Sequence, residues 1–69
     1  MIVKLFTIGT FPTMEPPTYK QIGIVEAVDT HKATAFCWEQ FGERTLIVRP
    51  IEGSERHIKA FVHEPRLVE

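Results

Sequence analysis

Two periodicities divide this chain. From Asp29 to Gly42 the apolar residues Ala33, Phe36, Cys37 and Phe41 recur at helical spacing, while the segments on either side are rich in β-branched and aromatic residues and tend to alternate. The first pattern predicts one amphipathic helix. Asp29 supplies an N-cap whose carboxylate can accept from the first-turn N–H groups, and Gly42 stands where a C′ glycine takes a left-handed conformation. The twelve residues between them make about three turns. Lys32 and Glu39 fall opposite the apolar stripe, Gln40 lies beside it, and Trp38 sits on a flank with His31 and Thr34.

Strands are predicted elsewhere. Residues 2–11 form the first, with Val3 and Leu5 pointing one way and Ile2, Phe6 and Ile8 the other, Lys4 among them. Apolar residues on both faces mark a strand that is central or covered on both sides. One helix covers one face, so the second covering is expected from a partner. Residues 11–18 hold Pro12, Pro16 and Pro17 and read as a stiff connector; as a recognition segment they would carry Met14 at an apolar tip. Residues 19–28 form the second strand. Ile22, Ile24 and Val28 share one face with Glu26, Tyr19, Val25 and Ala27 share the other, and Gly23 marks a bulge or a close approach. Residues 44–51 form the third, with Leu46 and Val48 opposed to Ile47, Arg49 and Ile51, and Pro50 ends it or places it at an edge. Residues 52–55 read as a hairpin turn. Residues 56–64 form the fourth strand, with Ile58, Ala60 and Val62 inward and His57, Lys59, Phe61 and His63 outward. Pro65 stops it, and residues 66–69 fray or add a short pairing.

The expected fold is therefore α+β. It is a two-layer sandwich of order β-β-α-β-β, in which one helix packs on one face of a four-stranded, largely antiparallel sheet. If the second and third strands run parallel through the helix, that crossover is right-handed. One small domain spans residues 1–69.

Composition narrows the function classes. A domain of this size buries only roughly 60% of the surface its unfolded chain exposes, so pairing with a second copy would supplement a thin core. The apolar fraction of 43% and the charged fraction of 25% are those of a globular protein and exclude a disordered chain. A net charge of −1 argues against nonspecific binding to phosphate backbones, though not against a local basic patch. One cysteine leaves no intrachain disulfide, which suits a reducing compartment or indifference to redox state. The N-terminus lacks a signal-peptide pattern, and no apolar run approaches the ~20 residues that span a bilayer. The expectation is a cytoplasmic protein without membrane contact.

Catalytic chemistry finds no support in the motifs. There is no Ser-His-Asp grouping, phosphate loop, dinucleotide fingerprint or metalloprotease pattern. Cys37, the one nucleophile of its kind, lies mid-helix on the apolar stripe, where cysteine behaves as a small buried hydrophobe. His31, His57 and His63 lack metal-ligand spacing. Along one strand His57 and His63 would stand about 20 Å apart, too far to share a metal within one chain. No catalytic residue, metal or cofactor is assigned. The outward sheet face gathers Lys4, Phe6, Tyr19, Arg49, Lys59 and Phe61. Aromatic residues among cations on an open sheet stack bases in single-stranded RNA modules. The same residues suit a protein interface, where aromatics and arginine are enriched, and the negative net charge favours that reading.

The segment Gly23-Ile24-Val25-Glu26-Ala27-Val28-Asp29, followed by the alanine-bearing helix and Gly42, resembles the strand–helix core of archaeal LX-type ribosomal proteins. A helix leading into Thr45-Leu46-Ile47-Val48 also resembles the small accessory B subunit of phenylacetyl-CoA ring-oxygenases. Each resemblance covers about half the chain and rests on alternation, an aspartate cap and a glycine stop. The ribosomal family is expected to be strongly basic, which this chain is not. Neither assigns the chain to a family, and no residue role is carried over. The functional expectation is a non-enzymatic interaction protein, a homodimer or the binder of a protein partner. Its interface residues would be Phe6, Tyr19, Arg49, Lys59 and Phe61 on the uncovered sheet face and Trp38 on the helix flank. A single-stranded nucleic acid on that face is the alternative.

Overall fold

Strand β1 (Ile2–Thr10) is the element on which the sheet is built, in a computed structural model that describes residues 1–10, 19–42 and 46–68. The proline-bearing segment 11–18, the start of the third predicted strand at residues 44–45, and Glu69 lie outside the described residues. On one side β1 pairs antiparallel with β2 (Lys20–Ala27). On the other it pairs antiparallel with β3 (Ile47–Pro50) and β4 (Arg56–His57). A last strand, β5 (Arg66–Val68), pairs antiparallel with the far side of β2. Both β2 and β3 oppose β1, so they run parallel to each other, and helix α1 (Thr30–Phe41) connects them across β1. The result is an α+β fold: an open antiparallel sheet with one helix against it. β5 adds one strand to the expected order.

The helix has the limits its caps dictate. The Asp29 carboxylate accepts from the Lys32 N–H at 2.8 Å, and the Asp29 carbonyl accepts the first intrahelical bond from Ala33 at 3.0 Å. Gly42 ends it at φ +80°, a region glycine enters without a Cβ penalty. The predicted stripe packs as expected. Ala33 and Cys37 are fully buried, and Phe36 and Phe41 close over a core of Phe6, Ile8, Val25 and Ala27.

Register fixes which side chains meet the helix. Phe6 lies opposite Val25, and Ile8 opposite both Gly23 and Val48. Cross-strand partners share a face, so Phe6 and Ile8 point under α1, and Val3, Leu5, Thr7, Ile24 and Glu26 point away from it. Phe6 is 1% exposed and cannot belong to an interface, which corrects its expected placement on the open face. Between Ile8 and Gly9 the register slips, so that Gly23 and then Gln21 are the partners on β2. This bulge turns Ile22 onto the core instead of the face it was expected to share with Ile24.

The expected hairpin at residues 52–55 is not formed. β3 and β4 run in the same direction and lie along the same edge of β1, interrupted by a bulge in which Gly53 has φ +78°. The Ser54 hydroxyl fills the break. It accepts from the Leu5 N–H at 3.1 Å and donates to the Ile51 carbonyl, while the Ile51 N–H donates to the Leu5 carbonyl at 2.9 Å. A side chain thus takes the place of a missing ladder bond.

The expected fourth strand also stops early. Ile58 and Met1 exchange hydrogen bonds, the last pairing along this edge among the described residues. Beyond Ile58 the chain leaves the edge and crosses to the opposite edge, where β5 begins. Along this crossing the expected alternation is overturned: Ala60 and Val62 are exposed, and His63 turns inward.

Replacing Ser54 with alanine leaves the part-buried Leu5 N–H without its acceptor. Such a loss costs about 1–2 kcal/mol. Urea unfolding of Ser54→Ala should show that drop with an unchanged denaturant slope, and a change under about 0.3 kcal/mol would show that the hydroxyl does not bridge the ladder.

Candidate interface and the carboxylate that holds it

Glu26 sits between Val25 and Ala27, both buried under the helix, so its side chain emerges on the opposite face of the sheet. There it is 4% exposed, the single buried charged residue among the described residues. Three donors from three parts of the chain converge on it. Arg56 of β4 reaches Oε2 through Nη2 at 2.8 Å. Arg66 of β5, its direct cross-strand partner, reaches Oε1 through Nε at 3.2 Å. His63, from the crossing segment, places Nε2 3.0 Å from Oε1. A carboxylate only accepts, so the Nε2 of His63 carries the proton. Its Nδ1 is buried and has no hydrogen-bond partner among the described residues.

Electrostatics follow from this geometry. Burial alone would raise the Glu26 carboxyl pKa, but the hydrogen bonds from His63, Arg56 and Arg66 together outweigh it and hold the group below the ordinary carboxylate range. The carboxylate is already committed to three donors and two positive charges, so it is a poor general base. Its role is to fasten both edges of the sheet, and the segment between them, to the centre. Arg56 and Arg66 are more than half exposed, so their share of the attraction is screened. His63 is 12% exposed and is the dry contact of the three.

His63 pins its segment from within, and the residues just before it project outward. Phe61 is 97% exposed and Val62 76% exposed. Lys59 is exposed on the same segment. Together these make an apolar tip with a cation at its base.

The other expected interface residues lie apart from that tip. Tyr19 packs on Gly9, where a Cβ would overlap its ring, and the Arg49 guanidinium lies 5.3 Å from the ring centroid. Gly9 and Thr7 share a face, and Thr7 pairs with Arg49, so this stack lies on the side of the sheet away from α1. Trp38 is 51% exposed on the helix. The expected set therefore divides: Tyr19 with Arg49, Lys59 with Phe61, Trp38 by itself, and Phe6 in the core. Val62 was assigned inward, and the grouping around Glu26 was missed. Its one sequence signal was a lone acidic residue inside an otherwise apolar strand.

Cys37 is fully buried, and burial pushes its thiol pKa up, away from nucleophilic reactivity. His31 and His57 are exposed. Among the described residues no three His, Cys, Asp or Glu side chains gather as metal ligands, and no helix is long and apolar enough to cross a membrane. Comparison with protein-family models, curated proteins and solved structures found no match to this chain.

Because the folded-state pKa of Glu26 is depressed, its contribution is fully present above the unfolded value near 4.5 and is lost as pH falls through the folded value. Glu26→Gln should lower stability at neutral pH by about 2 kcal/mol, less than the 3–5 of a fully buried ion pair because two partners are largely solvated. It should also flatten the decline of stability below pH 4.5. Urea unfolding across that range checks both. Parallel acid profiles for the two proteins would contradict the assignment.

Proposed function

We propose that this chain is a small, non-enzymatic interaction protein of the cytoplasm that self-associates through apolar surface. The observation that carries the reading is the exposure of Phe61 and Val62, 97% and 76%. Burying a side chain such as Phe or Val is worth about 1.5–3 kcal/mol, a gain this chain leaves unused at two successive positions and that a covering surface would supply. Aromatic residues in such positions commonly anchor interfaces. His63, next in the chain, is turned to Glu26 while Phe61 and Val62 stay exposed, which supports this reading. The surface so proposed is the tip of the crossing segment rather than the whole sheet face.

A second reading draws on the Tyr19–Arg49 stack. A ring with a guanidinium above it, on the face away from the helix, is the kind of platform on which an unpaired base stacks. Single-stranded nucleic acid is accordingly the alternative partner. A salt-dependent shift with single-stranded oligonucleotides, weakened in Arg49→Ala, would support it, and no binding at low salt would remove it.

For self-association, sedimentation at micromolar concentration should give at least twice the 7.9 kDa chain mass. Phe61→Ser should lower that mass toward the monomer without changing the helical circular dichroism. A wild-type chain that sediments as a monomer at every concentration contradicts the proposal.

A further inference from the structure

We infer that the site receiving Phe61 is a groove on a second copy of this chain, formed where α1 meets the residues entering β5. This rests on the self-association proposed above and names the surface it uses. The groove is open, about 390 Å³ in volume, and lined by Lys32, Ala35, Phe36, Glu39, Glu64 and Pro65. Ala35, Phe36 and Pro65 give it apolar walls. That volume lies toward the lower end of the 300–1,000 Å³ typical of small-molecule pockets and is ample for one aromatic side chain.

Three observations favour a second copy as the occupant. First, the tip does not fill the groove of its own chain, since Phe61 is 97% exposed. Only His63 separates Val62 from Glu64, and His63 is held on Glu26 at 3.0 Å. That contact directs the residue between tip and groove to the sheet face away from α1.

Second, tip and groove are neighbours, separated by that one residue. A two-fold dimer uses the same patch on both subunits. A patch holding a projection beside a recess lets each copy supply the projection for the other's recess.

Third, the charges agree. Lys59 stands two residues before Phe61, and two of the three charged residues lining the groove, Glu39 and Glu64, are acidic. Docking the tip carries Lys59 toward a rim of net negative charge.

The test is sedimentation of wild type, Phe61→Asp, Ala35→Trp and an equimolar mixture of the two variants. Both substituted positions are exposed, and circular dichroism confirms that each variant is folded. Phe61→Asp removes the projection and Ala35→Trp fills the recess. Each alone should weaken dimerisation at least ~30-fold, as loss of an aromatic anchor does. The mixture should recover a heterodimer, because the intact tip of Ala35→Trp meets the intact groove of Phe61→Asp. If Ala35→Trp dimerises within threefold of wild type while Phe61→Asp does not, the groove is overturned and self-association through the tip stands. If wild type remains at 7.9 kDa, both self-association and the groove fall, whether or not the monomer binds a different protein through the tip.

Discussion

The buried carboxylate of Glu26 is the contact on which the far side of this sheet depends. Removing a carboxylate from water costs several kcal/mol even after relaxation. In this chain the cost is offset by donors from β4, β5 and the segment joining them, all converging on one group. β4 is two residues long and β5 three, too short to hold by their ladders alone. Their arginines tie them to the middle of the sheet. An apolar residue at position 26 could pack as tightly, but it would not specify where the crossing segment lands. The ion cluster supplies that specificity, a role open to buried charges where they fix an arrangement rather than add stability.

The two faces of the sheet are held by different physics. Under α1 lies a small apolar core, with Phe6, Ile8 and Val25 sealed by Ala33 and Cys37. On the other face, Val3 is buried near one end, beside the paired Arg56. Toward the other end lies the Tyr19–Arg49 stack on Gly9. Through His63 on Glu26 the crossing segment supplies part of the covering that a second face needs in so small a domain. It does so with a histidine turned inward and a phenylalanine turned outward, the reverse of what burial by polarity alone would give.

Local signals in the sequence placed the helix correctly because its limits are set locally. Asp29 and Gly42 act within one turn of themselves. The central position of β1 was also legible, since apolar residues on both faces need two coverings. Pairing was not legible. Residues 56–64 alternate as a strand should, but alternation does not name a neighbour, and their pairing along β1 stops at the Met1–Ile58 bonds. Gly53 and Ser54 carry turn chemistry, and the structure uses that chemistry for a bulge within one edge rather than a reversal. Alternation in β1 separated Phe6 from Val3 without saying which of them lay beneath the helix. Glu26 was visible as a lone charge, but its partners lie 30 to 40 residues away and no local pattern names them.

The central claim is that one carboxylate fastens the crossing segment and thereby holds Phe61 and Val62 outward. Native-state amide hydrogen exchange on Glu26→Gln tests it most directly, because it separates local release from general weakening. Exchange at the β5 amides of Arg66 and Val68, opposite Glu26 and Ile24, should accelerate well beyond the change at the β1 amides of Phe6 and Ile8. Uniform acceleration across β1, β2 and β5, or no change at Arg66 and Val68, would contradict the claim.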